Sequence, residues 1–390
     1  MGALGGGALK LLVVAGEVSG DQHASALLGA LRPRVPSLEV FGVGGQGMQA
    51  AGARLLAHQK DLAIIGLVEA FSKVRFARRL IHLLVAEASR ENADAAVLID
   101  SPDFNLPLAR RLAKAGVPVV FYVSPQVWAW RKRRARTIAR LGRAVLVLFG
   151  FEKRWYDARG LGEKVTWVGH PLVDAAAAEL AHPAAPPPPG VRRIVLMPGS
   201  RKGEVESILP VLRDAVEILR RKRADLEVVL VRADSISDVL LKDLAGPAIA
   251  GWQVVSGEHL SLLRDSDVLL VASGTATVEG LLACVPMVVV YKVHPVTFWV
   301  ARRLVRVAHV AMANIVSDDG TGRRTVPELL QGDATPENVA AEAERFLADG
   351  ALAAETRQRL AKGAADLGSP GAAARAAEAL LAALGQGKAA

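Results

Sequence analysis

The chain has 390 residues, 51% hydrophobic and 22% charged, with a formal net charge of +9. That length and apolar content suit two domains with a sizeable buried core. The single cysteine, Cys284, excludes an intramolecular disulfide, and no uninterrupted apolar run reaches the roughly 18 residues of a spanning helix.

In chain order, the Gly-rich start (1–8) reads as a frayed tail and not a signal peptide. The apolar run 10–15 reads as a strand opening into Gly16-Glu17-Val18-Ser19-Gly20-Asp21, and Leu27, Leu28 and Leu31 then keep helical spacing. A second strand covers 38–43. It leads into Gly42-Val43-Gly44-Gly45-Gln46-Gly47, which satisfies the dinucleotide spacing but follows the second strand, where that fingerprint does not belong. A Gly-rich loop is expected there instead. Segment 61–84 mixes Leu67, Val68, Phe71, Val74 and Phe76 with Lys73, Arg75, Arg78 and Arg79. This suits either a helix on an anionic membrane surface or an amphipathic helix packed on the core.

Further strands are expected at 95–99, 117–123 and 144–149. Strands alternating with helical patterns predict a parallel sheet covered by helices on both faces. Two strand ends run into polar loops stiffened by proline: Asp100-Ser101-Pro102-Asp103-Phe104-Asn105 and Ser124-Pro125-Gln126-Val127-Trp128-Ala129-Trp130. Ligands of open α/β sheets bind just past such ends, so Glu17, Asp100 and Asp103 are candidate general bases, each with a turn or capping role as the plainer alternative. Arg131, Lys132, Arg133, Arg134, Arg136, Arg140 and Arg143 form a basic stripe, open to an anionic partner or to solvent alone.

A proline-rich linker (181–190) precedes a second alternating half, with strands at 193–197, 226–231, 268–272 and 287–291. Ser200-Arg201 follows the first of these. Small residues, a helix start and a guanidinium favour a phosphate there. Ser273-Gly274-Thr275 enters a helix carrying Glu279, which reads as a partner for ribose hydroxyls or as a carboxylate at a helix dipole. The occupant expected of two such loops is a nucleoside diphosphate. No histidines fall at metal-ligand spacing and Cys284 is alone, so no structural zinc site is expected; no motif here calls for a cofactor, and none is expected. From residue 336 the chain is Ala-rich and helical in pattern.

Together these segments resemble one family, the lipid-A-disaccharide synthases. The resemblance rests on 15–21, 42–48, 65–69, 99–105, 124–131, 168–172, 196–206, 272–279, 291–304 and 326–331, and covers about residues 9–345. It implies an α/β fold of the GT-B type, two Rossmann-like doubly wound domains facing an interdomain cleft, with C-terminal helices. The expected domains are 9–180 for the acceptor, 191–345 for the UDP-sugar and 346–390 for the helical tail. The implied reaction is metal-independent, inverting transfer from UDP-2,3-diacylglucosamine to 2,3-diacylglucosamine 1-phosphate. Asp100 matches the general base; Glu17 and Ser19 match a polar loop on the acceptor side. Ser200, Arg201, Ser273, Gly274, Thr275, Glu279, Asn314 and Gln331 match UDP-side positions, with Arg201 on the pyrophosphate and Glu279 on the ribose. Leu67, Val68, Phe71, Val74 and Phe76 match an acyl- or membrane-binding region. The implied location is cytoplasmic, peripheral on the anionic inner face of the membrane, with no nucleic acid bound and homodimerisation left open. The competing readings are another GT-B UDP-sugar transferase, a UDP-sugar epimerase, or a basic nucleic-acid- or membrane-binding protein.

Overall fold

The computed structural model describes residues 8–63, 70–129, 132–182, 186–293, 309–318 and 320–385. The chain forms two compact units, Met1–Pro171 with Leu367–Ala390, and Leu172–Asp366.

The first unit holds seven strands: β1 (Lys10–Ala15), β2 (Glu39–Gly44), β3 (Arg54–His58), β4 (Ala95–Ile99), β5 (Val119–Tyr122), β6 (Gly142–Val147) and β7 (Val165–Trp167). They lie in the order β3-β2-β1-β4-β5-β6-β7, every neighbouring pair parallel. Both faces are covered, and side chains of one strand alternate between the two cores. Leu11, Val13 and Ala15 pack with Leu27, Leu28 and Leu31 of the helix Val18–Leu31. Leu12 and Val14 pack with Leu80, Ile81 and Leu84 of the helix Ala70–Arg90 and with Leu108 and Leu112 of the helix Pro102–Lys114.

The second unit holds β8 (Arg192–Met197), β9 (Leu226–Val231), β10 (Gln253–Val255), β11 (Val268–Ala272), β12 (Met287–Tyr291) and β13 (Glu328–Leu330). Their order is β10-β9-β8-β11-β12-β13, again all parallel. Long helices Lys202–Lys222 and Pro336–Ala348 bury Leu209, Leu212, Val216, Val339 and Phe346 against it.

The division differs from the sequence expectation at both ends of the second half. The helix Leu172–Leu180 belongs to the second unit, where its Glu179 carboxylate accepts from the Leu260 N–H and its Leu180 carbonyl accepts from Arg264. The Ala-rich tail splits, because its last helix, Ala372–Gly385, buries Ala376, Ala377 and Leu380 in the core of the first unit. Strands β3, β7, β10 and β13 are not foreseen in the sequence. Three of them have only three residues, too few to show a period. Residues 183–185 of the linker lie outside the described residues.

Candidate active site

Each sheet reverses its strand order once, and ligands of open α/β sheets bind beyond the strand ends at such a point. In the first sheet the reversal falls between β1 and β4, whose register pairs Ala15 with Ile99. Glu17 follows β1 and Asp100 follows β4, so the two carboxylates leave the sheet side by side. Gly16 makes this approach possible, since a Cβ there would lie 2.5 Å from the Ser101 hydroxyl oxygen. Asp100 and Ser101 both take left-handed backbone, with φ of 47° and 42°. That conformation costs a non-glycine residue on the order of 1–3 kcal/mol and persists where its surroundings enforce it. Asn105 supplies the enforcement: its buried side-chain amide donates to the Ile99 carbonyl (3.0 Å) and the Asp100 carbonyl (2.8 Å). Pro102 then opens the next helix.

Burial raises the Asp100 carboxyl to about 6, and the Glu17 charge adds to the rise. A base at that value is mostly ionised at neutral pH yet stronger than an ordinary carboxylate. Asp103, the alternative base, is exposed and paired with Arg134 at 2.7 Å. Ser19 sits in the first turn of the helix after Glu17, partly exposed.

Sequence reasoning missed several groups around these strand ends. His23 lies edge-on to His170 at 5.8 Å and near Tyr122 at 6.1 Å. Desolvation lowers His23 to about 4, and desolvation with the neighbouring ring lowers His170 to about 3, so both are neutral imidazoles at pH 7. Glu152 is buried and is raised to about 8 by that burial, with a further contribution from Asp100. A histidine two positions after Asp21 and a glutamate in a helix first turn carry no local signal of this gathering.

The Gly-rich loop after β2 is closed by the protein itself. Asp21 Oδ1 accepts from the N–H groups of Gly45 (2.7 Å) and Met48 (3.1 Å), and Oδ2 from Gly47 (2.8 Å). The loop N–H groups that could otherwise meet an anion are taken by this carboxylate.

In the second sheet the reversal falls between β8 and β11, and the two anion-friendly loops leave those two strands. Ser200 and Arg201 follow β8, both exposed, with Arg201 at the N-cap of the helix Lys202–Lys222. Glu204 folds back to accept from the Arg201 and Ser200 N–H groups at 3.3 and 3.4 Å. Ser273, Gly274 and Thr275 follow β11, where the Gly274 carbonyl accepts from the Thr277 hydroxyl at 2.8 Å. Glu279, in the next helical turn, meets His259 Nε2 at 3.3 Å, and His259 Nδ1 lies 2.6 Å from the Gly257 carbonyl. Burial opposes the charge on His259, but those two bonds and the charges of Glu279 and Glu179 raise its pKa on balance.

Asn314, expected on the UDP side, is enclosed by its own neighbours. It is buried, donates to the Val326 carbonyl and Glu328, and accepts from the Thr325 and Val326 N–H groups. An asparagine with both donors and its oxygen so engaged is a frame for the 325–328 segment. Gln331 likewise brackets Val293, accepting from its N–H and donating to its carbonyl.

Leu67 and Val68 lie outside the described residues, as do the side chains of Phe71 and Val74. Phe76 is 42% exposed on the helix Ala70–Arg90, among exposed Arg75, Arg78 and Arg79, and Leu83 is 48% exposed two turns on. Among the described residues no helix is long and apolar enough to cross a membrane.

Two parallel sheets of this form define the GT-B class. The calicheamicin glycosyltransferase CalG4 superposes with a TM-score of 0.64, at 16% identity over 97% of this chain and 99% of that one. The UDP-GlcNAc 2-epimerase from Neisseria meningitidis, bound to UDP-GlcNAc, gives 0.61 at 13% identity over 96% and 100%. At these identities the likeness concerns the fold alone. The family model described as Lipid-A-disaccharide synthetase matches residues 11–383. Lipid-A-disaccharide synthase of Anaeromyxobacter dehalogenans is 41% identical, covering 95% of this chain and 97% of its own, and that of Myxococcus xanthus 39% over 97% and 98%. The chain belongs to the lipid-A-disaccharide synthetase family.

Proposed function

We propose that this protein transfers the sugar of UDP-2,3-diacylglucosamine to 2,3-diacylglucosamine 1-phosphate, giving lipid A disaccharide 1-phosphate and UDP. The observation that carries the reading is the chemistry at the two strand-order reversals: a half-buried, raised carboxyl at Asp100 in one sheet, and two anion-friendly loops in the other.

The acceptor's primary hydroxyl attacks the anomeric carbon, and its proton passes to the Asp100 carboxylate. The new C–O bond forms as the bond from the anomeric carbon to the phosphate oxygen breaks, with its electron pair leaving on UDP. Attack from the face opposite the leaving group inverts the centre to a β linkage. Arg201 and the N–H groups opening the helix Lys202–Lys222 face the growing pyrophosphate charge, a role that needs no metal. Ser200, Ser273, Gly274 and Thr275 receive phosphate oxygens, and Glu279 accepts from the ribose. Asn314 and Gln331 act on the donor side through the backbone they hold. Glu17 and Ser19 bind acceptor hydroxyls while the Glu17 charge keeps Asp100 basic.

Both substrates carry acyl chains, and Leu67, Val68, Phe71, Val74 and Phe76 with the basic rim beside them receive those chains at an anionic membrane surface, while Leu80, Ile81 and Leu84 of the same segment pack on the core. On this reading the protein works at the cytoplasmic face of the inner membrane, and nucleic acid is not a partner. Light scattering in detergent-free buffer decides between monomer and homodimer.

The test is an assay of both lipid substrates with EDTA present. Disaccharide 1-phosphate and UDP are expected in equal amounts. UDP binding without that product sinks the reading in favour of another UDP-sugar enzyme.

A further inference from the structure

The loop after β5 is the most distinctive stretch of the sequence, and the reaction above leaves it without a role. Val123 turns it with φ of 60°. Two side-chain bonds then tie it to the helix Gly150–Asp157: the Ser124 and Tyr156 hydroxyls meet at 2.9 Å, and the Trp128 indole N–H donates to Glu152 Oε1 at 3.3 Å. Trp128 also stands edge-on against Phe151, with centroids 5.1 Å apart. Glu152 Oε2 accepts from the N–H groups of Leu148 and Phe149.

A glutamate in the first turn of a helix is ordinarily a cap. Capping alone does not account for Glu152. One of its oxygens caps the helix start, but the carboxyl is buried and its other oxygen holds a tryptophan from a different loop. That loop follows the strand next to β4, where the Asp100 N–H donates to the Tyr122 carbonyl at 3.3 Å. Asp100 is also close enough to act on Glu152 electrostatically.

We propose that Glu152 is a positioning residue for sugar transfer, fixing Trp128 and the 123–129 loop beside the strand end that carries Asp100. A buried carboxyl makes an effective clamp because its bonds are shielded from water and a lost partner leaves a buried polar group unsatisfied. The inference rests on Asp100 as the base of the proposed reaction. The titratable groups that face Glu152 are Asp100 from the β4 exit and Tyr156 from its own helix; Trp128 meets it from the loop without titrating.

The test joins kinetics to a spectroscopic readout. Glu152→Gln and Trp128→Phe are each expected to lower kcat or raise the acceptor KM about tenfold or more, as a loosened reacting group does. The donor KM should stay as it was, and the double variant should be no worse than the poorer single. In 15N-tryptophan-labelled protein, Trp128→Phe identifies the Trp128 indole N–H among six tryptophan signals. That signal should move as the pH passes from 6 to 9 and hold still in Glu152→Gln. A folded Glu152→Gln with unaltered kcat and KM overturns the proposal, as does an indole signal that ignores pH in the wild type. If the wild type makes no disaccharide, the proposed reaction fails and the indole titration alone decides whether Glu152 clamps Trp128. Should Glu152→Gln not fold, Trp128→Phe keeps both backbone bonds of Glu152 and carries the kinetic arm.

Discussion

Glu17 and Asp100 leave neighbouring parallel strands at the same level, and the charge of the first adds to the burial that lifts the second to about 6. The base is active when ionised, so kcat/KM should fall as pH drops through about 6, with the slope of a single proton. Glu17→Gln removes one contribution to the rise and should move that limb to lower pH. A limb that stays in place would mean that Glu17 does not act on Asp100. Asp100→Asn should cost about 10²–10⁴-fold in turnover and leave UDP affinity nearly unchanged, measured by calorimetry beside the assay.

Arg201 stands 73% exposed by side chain at a helix start. Arg201→Ala should weaken UDP binding about ten- to hundredfold, the loss expected for one charge-assisted phosphate contact. Uridine, lacking phosphates, should bind both forms equally. A parallel loss for uridine would point to a disturbed loop instead of a lost phosphate contact.

Asp21 predicts a stability effect in place of a ligand effect. Its carboxylate satisfies three backbone N–H groups, two of them bonds to buried Asp21 oxygen in the interior. Asp21→Ala should lower the unfolding temperature of the unit that carries it by several degrees, reflecting a loss on the order of 3 kcal/mol. UDP affinity of the protein that remains folded should not change. Calorimetric scans with and without UDP separate the two effects.

His23 and His170 give the folded state a defined weakness in acid. Their folded pKa values, about 4 and about 3, lie below the ordinary 6.5. The unfolded chain therefore binds more protons between those limits, and their contribution to stability is present above pH 6.5 and fades as pH falls toward 3. His170→Gln should flatten the decline of Tm between pH 6.5 and 4.5. An unchanged slope would remove His170 as a source of it.

Phe76 and Leu83, with Arg75, Arg78 and Arg79 around them, form the exposed apolar and basic side of one helix. Phe76→Ser with Arg78→Glu should reduce co-sedimentation with vesicles containing anionic lipid and raise the KM for detergent-dispersed substrates, whose acyl chains Phe76 is proposed to receive. Equal sedimentation of variant and wild type would place the membrane contact elsewhere.

Much of this architecture is legible in the sequence because its strands are apolar runs that end in glycine or proline. β1, β4, β8 and β11 are read correctly, and these four frame the two strand-order reversals. The loops following them carry Glu17, Asp100, Arg201 and Ser273 to Thr275, so the main candidate positions follow from local pattern. What escapes is set by distant partners. Asp21 reads as one more acidic residue of a helix start, and only the fold reveals that it stoppers a loop 24 residues away. Glu152 reads as a helix cap until Trp128 is placed against it. Asn314 looks available for a ligand, because nothing local announces the four bonds that it makes with 325–328.

The helix Ala372–Gly385 packs on the helix Val18–Leu31, although the whole second unit lies between them in the chain. At about 5–20 residues per second, tens of seconds separate the synthesis of those two helices. During that interval Leu27 and Leu31 lack part of their final cover, even after β7 has completed the first sheet. Completion of the first unit therefore waits for the whole second unit to be made, and the nascent chain carries an unsealed apolar surface that chaperones can recognise until the helix Ala372–Gly385 arrives.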